Sequence, residues 1–330
     1  MKGPHYPVML PEVLAAAAVT DGETYIDATF GNGGYSEGLL KAATCRVVGL
    51  DRDPNVAARV EALKAAYEGR FELIQTPFSK LDEFDAAQNV DAVVFDIGVS
   101  SMQLDQAERG FSFMRAGPLD MRMSQSGVSA ADAVRYLSVE DLTAIFKIYG
   151  EERHAGRIAR TIIEARETEV IRTTDRLAEL IEGAIGRRGK IHPATRVFQA
   201  LRIYINDELG ELYRGLRAAE KVLKPGGRLI VVTFHSLEDR MVKQFVRDRS
   251  GEVTGGSRHM PEVNISAKPA QFTTPKRGVI KPSKVEIGEN PRSRSAKLRY
   301  AVRTDIAAKT DVYDGFLPHV TSLAQLEAQL

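Results

Sequence analysis

Residues Thr24-Tyr-Ile-Asp27-Ala-Thr-Phe-Gly31-Asn-Gly33-Gly34-Tyr35-Ser36, with Asp51 closing the next apolar run Arg46-Val-Val-Gly-Leu-Asp51, decide the fold. The first stretch predicts a strand, a glycine turn and the start of a helix. The second predicts a neighbouring strand. Glycines at such a turn let backbone approach a ligand closely at the carboxyl edge of a sheet, where open α/β folds bind cofactors. An acidic side chain ending the second strand, 20 positions after Gly31, can accept hydrogen bonds from both ribose hydroxyls of an adenosine. Nicotinamide dinucleotides and S-adenosylmethionine share this spacing. The dinucleotide pattern Gly-x-Gly-x-x-Gly asks for glycine at position 36, where this chain has Ser36. Asp27, feeding the turn, would repel a pyrophosphate. It suits the ammonium of a methionine moiety, or equally a role in bracing the turn through local N–H groups.

Outward from this stretch the pattern repeats. A helix is predicted over 54–67, a third strand at Phe71-Glu-Leu-Ile-Gln, a fourth at Asp91-Ala-Val-Val-Phe-Asp96 and a fifth at Leu229-Ile-Val-Val-Thr-Phe. Near-continuous apolar runs alternating with helices predict βαβ units in a doubly wound sheet covered on both faces. Pro225-Gly226-Gly227 reads as the stop of the helix before the fifth strand. Leu298–Arg303 reads as a late edge strand, and 250–290 as an irregular excursion. About 130 residues separate strands four and five, where a crossover needs only a dozen or so. Most of this surplus has helical periodicity. Ser138-Val-Glu-Asp141 resembles a capping box, and one long helix is predicted from His192 through Leu223. The expected organisation is a core of residues 1–105 and 214–330 carrying an inserted helical substrate-recognition domain, 106–213.

The 330 residues bear a formal net charge of +1 and are 43% hydrophobic and 27% charged, as in ordinary soluble proteins. The near-neutrality is an average: residues 1–105 hold 8 basic and 16 acidic side chains, and residues 240–303 hold 15 and 5. The basic segment can neutralise phosphates whatever the global balance. The single cysteine, Cys45, excludes an internal disulfide and suits a reducing cytoplasm. No run has the length of a membrane span, and the N-terminal residues lack a signal-peptide pattern. No Cys/His cluster suggests zinc, and no metal is expected.

Further along lie Asp96-Ile-Gly-Val-Ser-Ser-Met-Gln103-Leu-Asp-Gln-Ala-Glu-Arg109-Gly-Phe-Ser-Phe and Gly117-Pro-Leu-Asp-Met-Arg122-Met. Then come Tyr149-Gly-Glu-Glu-Arg153, His192-Pro-Ala-Thr-Arg196, Asn206-Asp-Glu-Leu209, Phe234-His235-Ser-Leu-Glu-Asp-Arg240 and Asn290-Pro-Arg292-Ser-Arg294. In this order the motifs resemble the RsmH (MraW) family, over nearly the whole chain. That family methylates the exocyclic N4 amine of a cytidine in bacterial 16S ribosomal RNA. The resemblance implies a class I methyltransferase core, Rossmann-like and doubly wound, using S-adenosylmethionine. It carries the cofactor site onto Gly34, Tyr35, Ser36, Asp51, Phe78, Asp96 and Gln103, beside the turn glycines Gly31 and Gly33. The family's turn commonly reads Gly-Gly-His, where this chain has Tyr35. Such a transfer needs an acceptor for the N–H groups of the cytosine amine, and Asp96 and His235 are the candidates. A cytosine must leave its stack to reach a cofactor at the sheet edge. Arg109, Arg122, Arg196, Arg292 and Arg294 are candidate RNA contacts on the 16S ribosomal RNA or small subunit. Two alternatives remain open on sequence alone: an amino-methyltransferase acting on DNA or a small molecule, and a nicotinamide-dependent oxidoreductase.

Overall fold

A computed structural model describes residues 7–98, 105–187, 189, 192–251, 269–276, 278–310 and 320–329. The chain divides into two compact units. One holds Met1–Gly98 and Glu211–Tyr313, and the other Val99–Gly210 and Asp314–Leu330.

The first unit is built on a seven-stranded sheet. Its strands are β1 (Thr24–Asp27), β2 (Arg46–Asp51), β3 (Phe71–Gln75), β4 (Val90–Asp96), β5 (Leu223–Thr233), β6 (Phe272–Thr273) and β7 (Lys297–Arg303), in the order β3-β2-β1-β4-β5-β7-β6. The first five are parallel, whereas β7 runs antiparallel to both β5 and β6. This is the class I methyltransferase sheet. Period-two alternation sends residues to two buried faces. Tyr25, Val47, Val94 and Ile230 join Val13 of α1 (Leu10–Ala17), Leu39 of α2 (Gly34–Ala42) and Leu63 of α3 (Ala57–Ala66) in one core cluster. Ile26, Val48, Val93 and Phe95, fully buried, face the other way. Among the described residues no helix is long and apolar enough to cross a membrane.

Three expectations need correction here. β7 is not the edge strand, because the two-residue β6 lies outside it. Pro225-Gly226-Gly227 does not cap a helix. The helix Glu208–Val222 ends earlier, and these residues form an irregularity in β5, with Gly226 at φ 82°. The long helix from His192 is two helices, Ala194–Ile205 and Glu208–Val222, broken at Asn206-Asp207. Asp207 adopts φ 46°, and the Asn206 amide is engaged elsewhere, donating to Met121 O and accepting from Met123 N.

The second unit is helical, with Ala130–Tyr136, Val139–Ile148, Ala155–Arg166, Thr174–Ile185 and Ala194–Ile205. Ser138 caps its helix as its sequence predicts, accepting from Asp141 N at 3.0 Å. Tyr204 donates to Thr321 O, and Asp141 accepts from Thr321 N and Oγ1. These bonds group Asp314–Leu330 with the helical unit, not with the core to which the sequence pattern assigns that segment.

Candidate active site

The carboxyl ends of three adjacent parallel strands each carry an aspartate: Asp27 on β1, Asp51 on β2 and Asp96 on β4. The glycine turn lies over this edge. Gly31 and Gly33 adopt φ 51° and 67°, a region that favours residues without a Cβ. A Cβ on Gly33 would stand 2.8 Å from the Phe30 ring and 2.9 Å from Leu63. The turn therefore requires glycine there on two counts.

Asp27 is fully buried and braces the turn. Its Oδ2 accepts from Ser36 N at 3.0 Å and Ser36 Oγ at 2.7 Å, and its Oδ1 accepts from Thr29 N at 3.4 Å. Ser36 N belongs to the first turn of α2, whose N–H groups have no intrahelical partner. Asp27 thus caps α2 from a neighbouring strand. Burial pushes its carboxyl up to about 6, against the opposing effect of the Ser36 hydroxyl. Among the described residues the N–H groups of Gly34 and Tyr35 remain unbonded at this helix start, where an anionic group is favoured.

Asp51 joins the second strand to the turn. Its Oδ2 accepts from Gly31 N at 2.7 Å and its Oδ1 from Asp53 N at 2.8 Å. Each oxygen keeps one lone pair for a hydroxyl donor. Burial raises its pKa, partly offset by those two backbone N–H groups.

Asp96 differs from the other two. Its backbone N–H donates to Thr29 Oγ1 at 2.7 Å, which fixes the main chain. Its carboxyl Oδ1, however, is shut off from solvent and has no hydrogen-bond partner among the described residues. Burial, then the charges of Asp27 and Glu238, push this carboxyl up to about 8, against the opposing effect of the Tyr35 hydroxyl. Tyr35 is buried beside it and donates its hydroxyl to Val8 O. Burial and the charges of Asp96 and Asp27 hold that hydroxyl well above its ordinary range.

After β5 the chain turns at Phe234-His235 into the helix Ser236–Arg249. The fully buried Glu238 accepts from Phe234 N at 2.8 Å and His235 N at 3.2 Å, and its second oxygen lies 2.8 Å from His235 Nε2. The imidazole is therefore held against the turn. Phe78 packs edge-on to Phe95, ring centroids 5.5 Å apart, and Gly215 lies against both rings, where a Cβ would stand 2.6 Å from Phe78 and 3.2 Å from Phe95. Gln103 lies outside the described residues.

The arginines separate into two groups. Arg109 is buried in the helical unit and donates to Arg122 O and Met123 O. Arg122 grips both oxygens of Asp120 at 2.9 and 2.7 Å and donates to Gly127 O. Both brace the loop after the fourth strand. Arg196 is about half exposed and 3.8 Å from Glu152. Arg292 and Arg294 are exposed.

The sequence pattern alone misses Thr29 and Glu238. Thr29 sits within the quoted strand, but its bond to Asp96 links residues 67 positions apart. Glu238 stands three residues after His235, the spacing of a reciprocal helix cap, and that was the available signal.

Known proteins resemble this chain along nearly its whole length. The model of the MraW methylase family matches residues 2–304. The chain is 54% identical to "Ribosomal RNA small subunit methyltransferase H" of Maricaulis maris, covering 99% of each chain. It is 56% identical to the protein of the same name from Bartonella tribocorum, over 92% of this chain and 91% of that one. A solved rRNA methylase from Streptococcus thermophilus aligns at a TM-score of 0.41 and 11% identity, over 92% of this chain and 99% of that one. With the family's model matching from residue 2 to residue 304 and relatives above 50% identity along nearly the full length, this chain belongs to the MraW methylase family.

Proposed function

We propose that this protein transfers a methyl group from S-adenosylmethionine to the exocyclic N4 amine of a cytidine in 16S ribosomal RNA, on the small ribosomal subunit in the cytoplasm. Family membership and the name shared by its relatives support ribosomal RNA as the substrate and set aside the nicotinamide oxidoreductase. The observation that carries the N4 assignment is Asp96 Oδ1, a buried acceptor without a donor at the carboxyl end of β4. An exocyclic amine brings N–H donors, and a hydrogen bond to one of them satisfies this atom.

The residues present fit the cofactor. Two buried carboxyls, Asp27 and Asp96, have no cationic partner among the described residues, which suits a cationic ligand. Asp51 would hold the ribose hydroxyls, the N–H groups of Gly34 and Tyr35 the carboxylate, and Phe78 the flank of the adenine. Gly31, Gly33 and Ser36 shape the loop that admits them, and Gln103 belongs to the same proposed set. S-Adenosylmethionine supplies a methyl carbon bound to a positively charged sulfur, open to in-line attack. Asp96 accepts one N–H of the target amine and orients its lone pair toward that carbon. His235, whose Nδ1 is buried without a hydrogen-bond partner among the described residues, is the second acceptor for the proton released. The sheet unit would perform the chemistry, and the helical unit would recognise substrate. Arg109, Arg122, Arg196, Arg292 and Arg294 are the proposed RNA contacts, of which the last three are the more exposed.

Incubation with labelled S-adenosylmethionine tests this reading. Label is expected in small subunits that lack the modification. Incorporation only into duplex DNA or free nucleotides would favour the other amino-methyltransferase activity.

A further inference from the structure

Within the helical unit, Val139–Ile148 and Ala155–Arg166 pack through Leu142, Ile145, Phe146, Ile158 and Ile162, all fully buried. Lys147, Arg157 and Arg160 on these helices, and Arg153 in the turn between them, are all exposed. Among the described residues none of these four makes an ion pair or a side-chain hydrogen bond. Other arginines of the same unit are engaged. Arg122 holds Asp120, Arg176 holds Glu169, and Arg166 donates to Val134 O and Leu137 O. Among the described residues Lys147, Arg157 and Arg160 thus keep unpaired charges on these two helices, within a segment, 106–213, that holds 16 basic and 16 acidic side chains.

Arg157 and Arg160 stand three residues apart on one helix, which places them on the same face. Lys147 and Arg160 stand at a groove of about 590 Å³ whose floor is Val139, Thr143, Ala144 and Ile148. Gly156 lies beside Arg160, whose Nη1 is 3.7 Å from where a Cβ would stand, an ordinary contact distance. Two acids, Glu140 at the groove and the exposed Glu164 one turn past Arg160, bound the patch.

From this arrangement we infer that the outward face of these two helices docks the phosphate backbone of the RNA substrate. The inference rests on the reading of the substrate as RNA. Unpaired guanidinium and ammonium groups match phosphate oxygens without reading sequence. The apolar floor accepts the flat face of a base or a ribose beside them. An acidic peptide or an anionic lipid surface offers charge but no such planar apolar group.

The test uses the full chain with Lys147→Ala, Arg157→Ala and Arg160→Ala combined, and separately Arg157→Lys with Arg160→Lys. Binding of a 16S ribosomal RNA fragment is followed by fluorescence anisotropy from about 50 to 300 mM salt, together with methylation kinetics and thermal melting. Removing three phosphate contacts lowers the slope of log affinity against log salt by about 2. Affinity is expected to fall at least about tenfold at physiological salt, with the kinetic loss falling on KM rather than kcat and the lysine pair recovering most of it. Unchanged affinity and slope in the triple variant overturn the inference. So does weakened binding to phosphatidylglycerol vesicles or polyglutamate with RNA binding intact. If the unsubstituted protein binds RNA but methylates none, the proposed function fails, and the binding comparison still decides the surface. Should the triple variant melt early, the charge-reversed pair Arg157→Glu and Arg160→Glu takes its place, with a larger loss expected and no loss contradicting the inference.

Discussion

Asp51 Oδ2 accepts the backbone N–H of Gly31 at 2.7 Å, so the residue that ends β2 also fixes the turn that follows β1. One carboxylate therefore shapes the loop and presents its remaining lone pairs to a ligand. Replacing it should harm cofactor binding twice over, by removing the acceptor and by releasing the turn. Asp51→Ala is expected to weaken S-adenosylmethionine binding by about 1–3 kcal/mol, or roughly five- to 150-fold, in isothermal titration. Binding within twofold of the unsubstituted protein would remove Asp51 from the site.

The Gly33 position makes a sharper steric claim. Alanine there must adopt φ 67° and push its Cβ against Phe30 and Leu63 at 2.8–2.9 Å. Gly33→Ala is expected to cost about 1–3 kcal/mol of stability and to lower cofactor affinity as well. The chain has no tryptophan, so calorimetry is the suitable readout.

Asp96 gives opposite predictions for stability and activity. Its carboxyl titrates at about 8 in the folded protein against an ordinary 3.8. The folded state therefore holds this proton more tightly than the unfolded chain, and the associated stability is lost as pH rises through about 8. Asp96→Asn removes that loss. The variant should melt above the unsubstituted protein at pH 9, with the difference shrinking toward pH 4. The same substitution replaces an acceptor-only carboxylate with an amide, and kcat should fall by about 10² or more. In the unsubstituted protein kcat/KM should climb as pH rises through about 8, since the free protein must ionise Asp96 to accept an N–H. A flat profile from pH 6 to 9 would contradict that role.

Arg122 and Arg294 should separate structure from substrate. Arg122 is bound to Asp120 and Gly127 O, whereas Arg294 is exposed. Arg122→Ala is expected to lower the melting temperature of the helical unit, and Arg294→Ala to leave melting unchanged while raising KM for the small subunit about threefold or more. The reverse pattern would exchange their roles.

Much of the core was legible because its signals are local. Apolar runs, the glycine turn and the acidic strand ends mark β1 to β5 and place Asp27, Asp51 and Asp96 on one edge. Features that depend on distant partners were not legible in the same way. Nothing local to Asn206-Asp207 reveals that the Asn206 amide bonds Met121 and Met123, 85 and 83 positions away, and ends a helix whose apolar stripe continues. Arg109 and Arg122 carry the composition of an RNA contact. Their carbonyl and carboxylate partners, set by the loop's path, are not legible in that composition. The β7 sequence reads as an edge because two residues of β6 are too short a strand to register as a pattern.

The central claim is the identity of the methylated atom. Small subunits from cells lacking the modification, incubated with the protein and S-adenosylmethionine, can be digested to nucleosides and resolved by mass spectrometry against synthetic standards. N4-Methylcytidine from one 16S position is expected, formed about 10²-fold more slowly or worse with Asp96→Asn. Methyl groups found instead on carbon 5 or the 2′-hydroxyl of cytidine, or on another base, would contradict it.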